Sequence, residues 1–217
     1  MPPGERLVEK HVANVPLLLF ILFILASTAF DGLQETQIWW STMYHFPVQI
    51  NLYPIERTLV LALSPLIFFA LYSVAIYLMK VLTASVKPYT ALALRFGYSL
   101  IPIAVPYNFA HYFMILVNES QTLVAQVSDP FATGADFFGT AQSSISITLV
   151  SAKAVWYTQL STIIVGHIIA THIAHRIALR EFDSRRHVIV GQLPILLLMV
   201  FYTVFGLWIL SQGYQNG

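Results

Sequence analysis

The chain has 217 residues, 57% of them hydrophobic and 10% charged, with a formal net charge of +1 and a mean hydropathy of +0.71. Soluble domains carry about 25% charged residues, so this composition excludes a disordered tail, a nucleic-acid binder with a basic face and an ordinary cytosolic enzyme. With no cysteine in the chain, disulfides, thiolate metal sites, iron–sulfur clusters and cysteine nucleophiles are excluded as well.

A membrane-crossing helix needs about 20 mostly apolar residues, because the hydrocarbon core is about 30 Å thick and each helical residue rises about 1.5 Å. Five stretches free of Asp, Glu, Lys and Arg meet that length: residues 12–30, 58–79, 96–118, 154–175 and 188–211. The first follows a charged start and reads as a spanning helix rather than a cleaved signal peptide. The uncharged run 36–55 contains Trp39, Trp40, His45, two prolines and Asn51, and reads as interfacial or re-entrant. Pro65, Pro102, Pro106 and Pro194 fall inside apolar runs, where neighbouring helices can satisfy the carbonyls that proline leaves free. The expected fold is all-α, a single polytopic bundle of about five spanning helices, with outer loops at 31–57 and 119–153.

The basic residues orient this bundle. Nine of the 11 Lys/Arg fall in the N-terminal tail and in the loops around Lys80–Arg95 and Arg176–Arg186, while Arg57 and Lys153 fall in the alternate loops. The positive-inside rule then predicts a cytoplasmic N-terminus and an outside C-terminus in the cell inner membrane. Trp39, Trp40, Trp156 and Trp208 fall at or near the outer boundary, as an aromatic belt does. The four arginines of 176–187 read as a topology determinant and a lipid-headgroup contact.

Histidines and acids carry the candidate chemistry. Ionisable groups at membrane depth usually face the bundle interior and are functional candidates; here these are His111, His167, His172 and His175. His111 lies within reach of the outer loops, where Asp31, His45, Asp129 and Asp136 would suit a divalent metal with water as a further ligand. Asp129 before Pro130, and Asp136 after Gly134 and Ala135, suit turn formation equally well. His111, His167 and His175 are the candidates for holding a haem b, which the depth difference of about 10 Å between His111 and His167 disfavours. No HExxH pattern, phosphate-binding glycine loop or GxSxG elbow is present.

Several stretches resemble a family of bacterial integral membrane proteins known as fenitrothion hydrolase-like. They are Ser27-Thr-Ala-Phe-Asp31-Gly, Ala110-His111-Tyr112, Ser128-Asp-Pro with Phe138-Gly-Thr140, and Val155-Trp-Tyr-Thr-Gln159. They continue through Gly166-His167 and Ala174-His175-Arg176 to Gln192-Leu-Pro, Met199 and Tyr202-Thr203. The resemblance is to the C-terminal half of those proteins. It implies a separate chain supplying the other half and an activity on organophosphate esters. It points to Asp31, His111, Asp129, His167 and His175.

The expected function is accordingly that of an integral membrane subunit of a larger complex, structural or holding a His/Asp-ligated cofactor near the outer face. The alternatives are a metal-dependent membrane hydrolase of phosphoester-type substrates, in which the metal would generate hydroxide, and a proton or small-solute pathway through His167, His172 and His175. The expected partners are the bilayer and other membrane subunits, with no nucleic acid.

Overall fold

A computed structural model of the protein describes residues 14–45, 53–141 and 150–213. Helix α1 spans Val15–Gln34, and the Asn14 side chain caps it by accepting from the Leu17 N–H at 2.9 Å. Pro16 occupies its first turn, where a missing N–H costs nothing. A short helix α2, Gln37–His45, follows at once, started by Thr36 Oγ1 accepting from the Trp39 N–H at 3.2 Å. Helix α3 covers Tyr53–Thr83. Helix α4, Tyr89–Gly97, leads through a 3-10 turn at Tyr98–Leu100 into α5, Ile101–Ser128. Helices α6, Ala152–Glu181, and α7, Arg185–Gly213, complete the chain. Five segments are long and apolar enough to cross a membrane: Val15–Gln34, Arg57–Thr83, Tyr89–Ser128, Ala152–Glu181 and Arg185–Gln212. The described residues contain no strand.

The helices run past the apolar stretches that announce them. Asp31 and Gly32 belong to α1, and α2 and the first turns of α3 lie within 31–57, which the composition suggests is loop. The larger correction is in 119–153, because α5 continues through Asn118 and Glu119 to Ser128. That polar stretch contains neither Gly nor Pro, so nothing in it stops a helix already nucleated in the apolar run. The stop comes at Asp129-Pro130.

The long helices pack as a closed ring in the order α1, α3, α7, α6, α5 and back to α1. Leu22, Leu25, Tyr72, Ile76, Met79, Leu100, Ile173 and Met199 are buried inside it. Lipid is as apolar as these side chains, so close packing and interhelical hydrogen bonds must hold the ring together. Tyr72 Oη donates to the Ala93 carbonyl at 2.5 Å and Tyr202 Oη to the Phe68 carbonyl at 3.2 Å. At one end of the ring the Glu181 carboxylate of α6 meets Lys87 Nζ at 2.9 Å and also Arg95 of α4. The opposite end, where α1, α5 and α7 finish, carries the candidate site.

A candidate site where four helices meet

Asp31, close to the end of α1, faces α5. His111 Nε2 lies 3.0 Å from Asp31 Oδ2, and the Tyr112 hydroxyl donates to the same oxygen at 3.1 Å. One turn deeper the pairing repeats, with Asn108 Nδ2 donating to Thr28 Oγ1 at 3.0 Å. Gln159 of α6, itself buried, donates to the Ala110 carbonyl at 2.8 Å and ties a third helix to the site. Gly32 brings in the fourth. A Cβ there would collide with Ile209 Cγ2 of α7 and come within 3.0 Å of His111 Cε1. Only a residue without a side chain lets α1 approach α7 and the imidazole together.

The pair is unevenly exposed, with 13% of the His111 side chain and 50% of the Asp31 side chain accessible. Asp31 can therefore meet an incoming group while it orients a shielded imidazole. Two clefts flank the pair. One, of about 460 Å³, lies between α1, α3 and α5 and is lined by Ser27, Asp31, Gln34, Arg57 and Tyr112. The other, of about 340 Å³, lies on the imidazole side and is lined by Glu35, His111, Met114, Gln159 and Ile209.

The remaining candidates do not join them. Asp129 closes the turn after α5, accepting from the Thr133 N–H at 2.9 Å and the Gly134 N–H at 2.7 Å. Asp136 accepts from Ser128 Oγ at 2.6 Å and the Ala141 N–H at 3.0 Å. The Thr133 N–H bond is the main cause holding the Asp129 carboxyl below its ordinary pKa, and the Ser128 hydroxyl does the same for Asp136. Ser128 is about 25 Å along α5 from His111, which takes both aspartates away from the pair. The side chain of His45 lies outside the described residues. Among those residues no three of His, Asp and Glu come together as a metal site, so the cluster expected of Asp31, His45, His111, Asp129 and Asp136 is not assembled there.

The deeper histidines are dispersed as well. His167 Nδ1 pairs with Thr203 Oγ1 at 3.0 Å, and His175 Nδ1 with Gln192 Oε1 at 3.0 Å, both across to α7. His172 points outward. Gln159 sits level with Ala110, so His167 lies about 12 Å from the depth of His111. The two do not face each other as axial haem ligands must.

Three features escaped the sequence reading. Glu181 ends a helix amid arginines, and nothing in that local pattern signals its ion cluster with Lys87 and Arg95. Gln34 Oε1, Trp39 Nε1 and Tyr107 Oη are buried polar atoms without a hydrogen-bond partner among the described residues. Gln34 lines the larger cleft, Trp39 packs edge-on to Phe30 at 5.5 Å, and the Tyr107 ring lies 6.4 Å from that of His111. The third feature is the end of α5. It overshoots the end of α7 and the start of α6 by about 15 Å, and it exposes Leu116, Leu123, Val124 and Val127. The turn beyond it exposes Phe131, Phe137 and Phe138.

Comparison with known proteins yields no matching family model, curated protein or solved structure.

Proposed function

We propose that this chain is a multi-pass subunit of a larger membrane complex and that it docks its partner through the projecting end of α5. The observation that carries the reading is the apolar face at that end. Leu116, Leu123 and Val127 recur at helical spacing and lead to Phe131, which is 82% exposed. A phenylalanine left in water forgoes about 1.5–3 kcal/mol of burial. The overshoot of about 15 Å lifts Leu123, Val127 and Phe131 beyond the level at which the other helices enter the lipid. A bilayer that covers the ring does not cover them, and a protein partner does. The hydrogen-bonded turn around Asp129 and Asp136 holds Phe131, Phe137 and Phe138 in a defined shape, as a recognition surface requires.

The same reading takes the N-terminus as cytoplasmic and the site end as outward-facing in the inner membrane. The end bearing Lys80, Lys87, Arg95 and Arg176–Arg186 is the basic one, which supports that orientation. The resemblance to one half of the fenitrothion hydrolase-like proteins supports a second membrane chain as the partner. In mild detergent, blue-native electrophoresis of native membranes should show the chain well above monomer size. Combined replacement of Leu123, Val127 and Phe131 by serine should return it to monomer size. A wild-type chain that already migrates as a monomer defeats the proposal.

A second reading rests on the Asp31–His111 pair beside the 340 Å³ cleft. A carboxylate that orients an imidazole equips it to take a proton from water during hydrolysis of a phosphoester. Two such residues do not make a metal site. Hydrolysis of a neutral phosphotriester that survives His111→Gln unchanged would remove this reading.

A further inference from the structure

We propose that the cleft between α1, α3 and α5 binds the head group of an aminophospholipid, a primary ammonium next to a phosphate diester. The inference is independent of the partner reading and of any hydrolysis at His111.

Three residues lining this cleft keep acceptor capacity. Asp31 uses only Oδ2 for His111 and Tyr112, and Oδ1 has no partner among the described residues. Gln34 is only 7% exposed, yet its Oε1 accepts nothing from the described residues. A buried carbonyl in that state is uncommon and unfavourable unless a ligand or water donates to it. The terminal amide turns on a soft torsion, so a small rotation presents either of its ends to the cleft. Ser27 Oγ gives its proton to the Ile24 carbonyl at 3.2 Å and keeps its lone pairs. A primary ammonium has three N–H donors and no acceptor, which complements this set. Its charge sits opposite Asp31.

The other half of the head group follows from Arg57, which stands on the same cleft and whose guanidinium suits a phosphate. Depth selects a lipid over a soluble amine. Arg57 opens the apolar stretch of α3, and Asp31 lies near the end of α1. The cleft is therefore at the boundary where head groups lie. Below it Leu59, Leu63 and Leu66 are exposed along α3 and offer a track for acyl chains.

Native mass spectrometry of the protein in detergent, with equal amounts of phosphatidylethanolamine, phosphatidylcholine and phosphatidylglycerol, tests the assignment. Choline offers no N–H donor, and glycerol no cation. Ethanolamine lipid should be retained about tenfold over choline lipid, the scale of a charge-assisted hydrogen bond. Gln34→Leu and Asp31→Asn should bring that ratio near unity, whereas Gln34→Glu, which keeps an acceptor, should preserve it. Circular dichroism matched to the wild type certifies folding, and if Asp31→Asn fails that check the two Gln34 variants decide. Equal retention of the ethanolamine and choline lipids overturns the proposal, as does a preference unchanged by Gln34→Leu. Free O-phosphoethanolamine that displaces the lipid at equal concentration assigns the cleft to a soluble ligand instead and equally overturns it.

Discussion

Gly166 of α6 lies against the backbone carbonyl of Pro102 in α5, with Pro106 alongside. Pro106 has no N–H to return to that carbonyl, and the missing side chain of Gly166 is what lets a second helix come up against it. A Cβ at 166 would collide with the Pro102 oxygen and reach Pro106 Cγ at 2.6 Å. This close approach of α5 and α6 therefore depends on two residue types, a proline on one helix and a glycine on its neighbour.

Gly166→Ala should destabilise the bundle by about 1–3 kcal/mol, the range for overpacking a well-fitted contact. The obstacle is backbone and a rigid ring, neither of which can step aside. Thermal unfolding in detergent should show the loss with helical content unchanged, and an unaltered midpoint would mean that α5 and α6 separate freely.

Gly32→Ala should disturb the Asp31–His111 pair without touching either residue. The new methyl would meet Ile209 Cγ2 and stand 3.0 Å from His111 Cε1, so α1 must move away from α7 or the imidazole must turn. The nitrogen resonances of His111 should shift in the variant, while those of His167 and His175, held by Thr203 and Gln192, stay in place.

At the other end, removing the anion and removing a cation should have unequal costs. The Glu181 side chain is 2% exposed, whereas Lys87 and Arg95 are 38% and 46% exposed. Glu181→Gln leaves two cations that can turn to water and should cost about 1 kcal/mol. Arg95→Leu leaves a buried carboxylate with Lys87 alone and should cost about twice as much. Chemical unfolding of both variants would check this, and a reversed order would show that Glu181 is not buried as described.

The turn after α5 should loosen in acid. Backbone and hydroxyl donors hold the Asp129 and Asp136 pKa values below the ordinary carboxylate range. Their contribution to order is therefore complete above that range and lost as pH falls through the lowered folded values. Amide protection at Thr133, Gly134 and Ala141 should decline over that window, and Asp129→Asn should remove the pH dependence at Thr133 and Gly134. Both carboxylates are solvent-exposed, so the effect should be confined to the turn.

How far the residues announced this arrangement differs from one element to the next. The five spans are legible because a run of apolar residues is itself the physical requirement for crossing lipid. The end of α5 was not, because the apolar run stops at Asn118 while the helix needs a breaker to stop and first meets one at Asp129-Pro130. That extension carried Asp129 and Asp136 outward into a turn, while Asp31, which composition places in a loop, lies on α1 beside His111. The Glu181 cluster joins residues 86 and 94 positions apart, a separation across which no local pattern reports.

Taken by itself, the order of residues determined the five apolar spans and the basic end, since each follows from transfer between water and lipid along one dimension. The tertiary structure alone decided which helices are neighbours, that Asp31 pairs with His111, and that Gln34 Oε1 and Tyr107 Oη have no hydrogen-bond partner among the described residues. Those outcomes depend on close approach at Gly32 and Gly166, and close approach is a property of two helix surfaces together that neither segment encodes by itself.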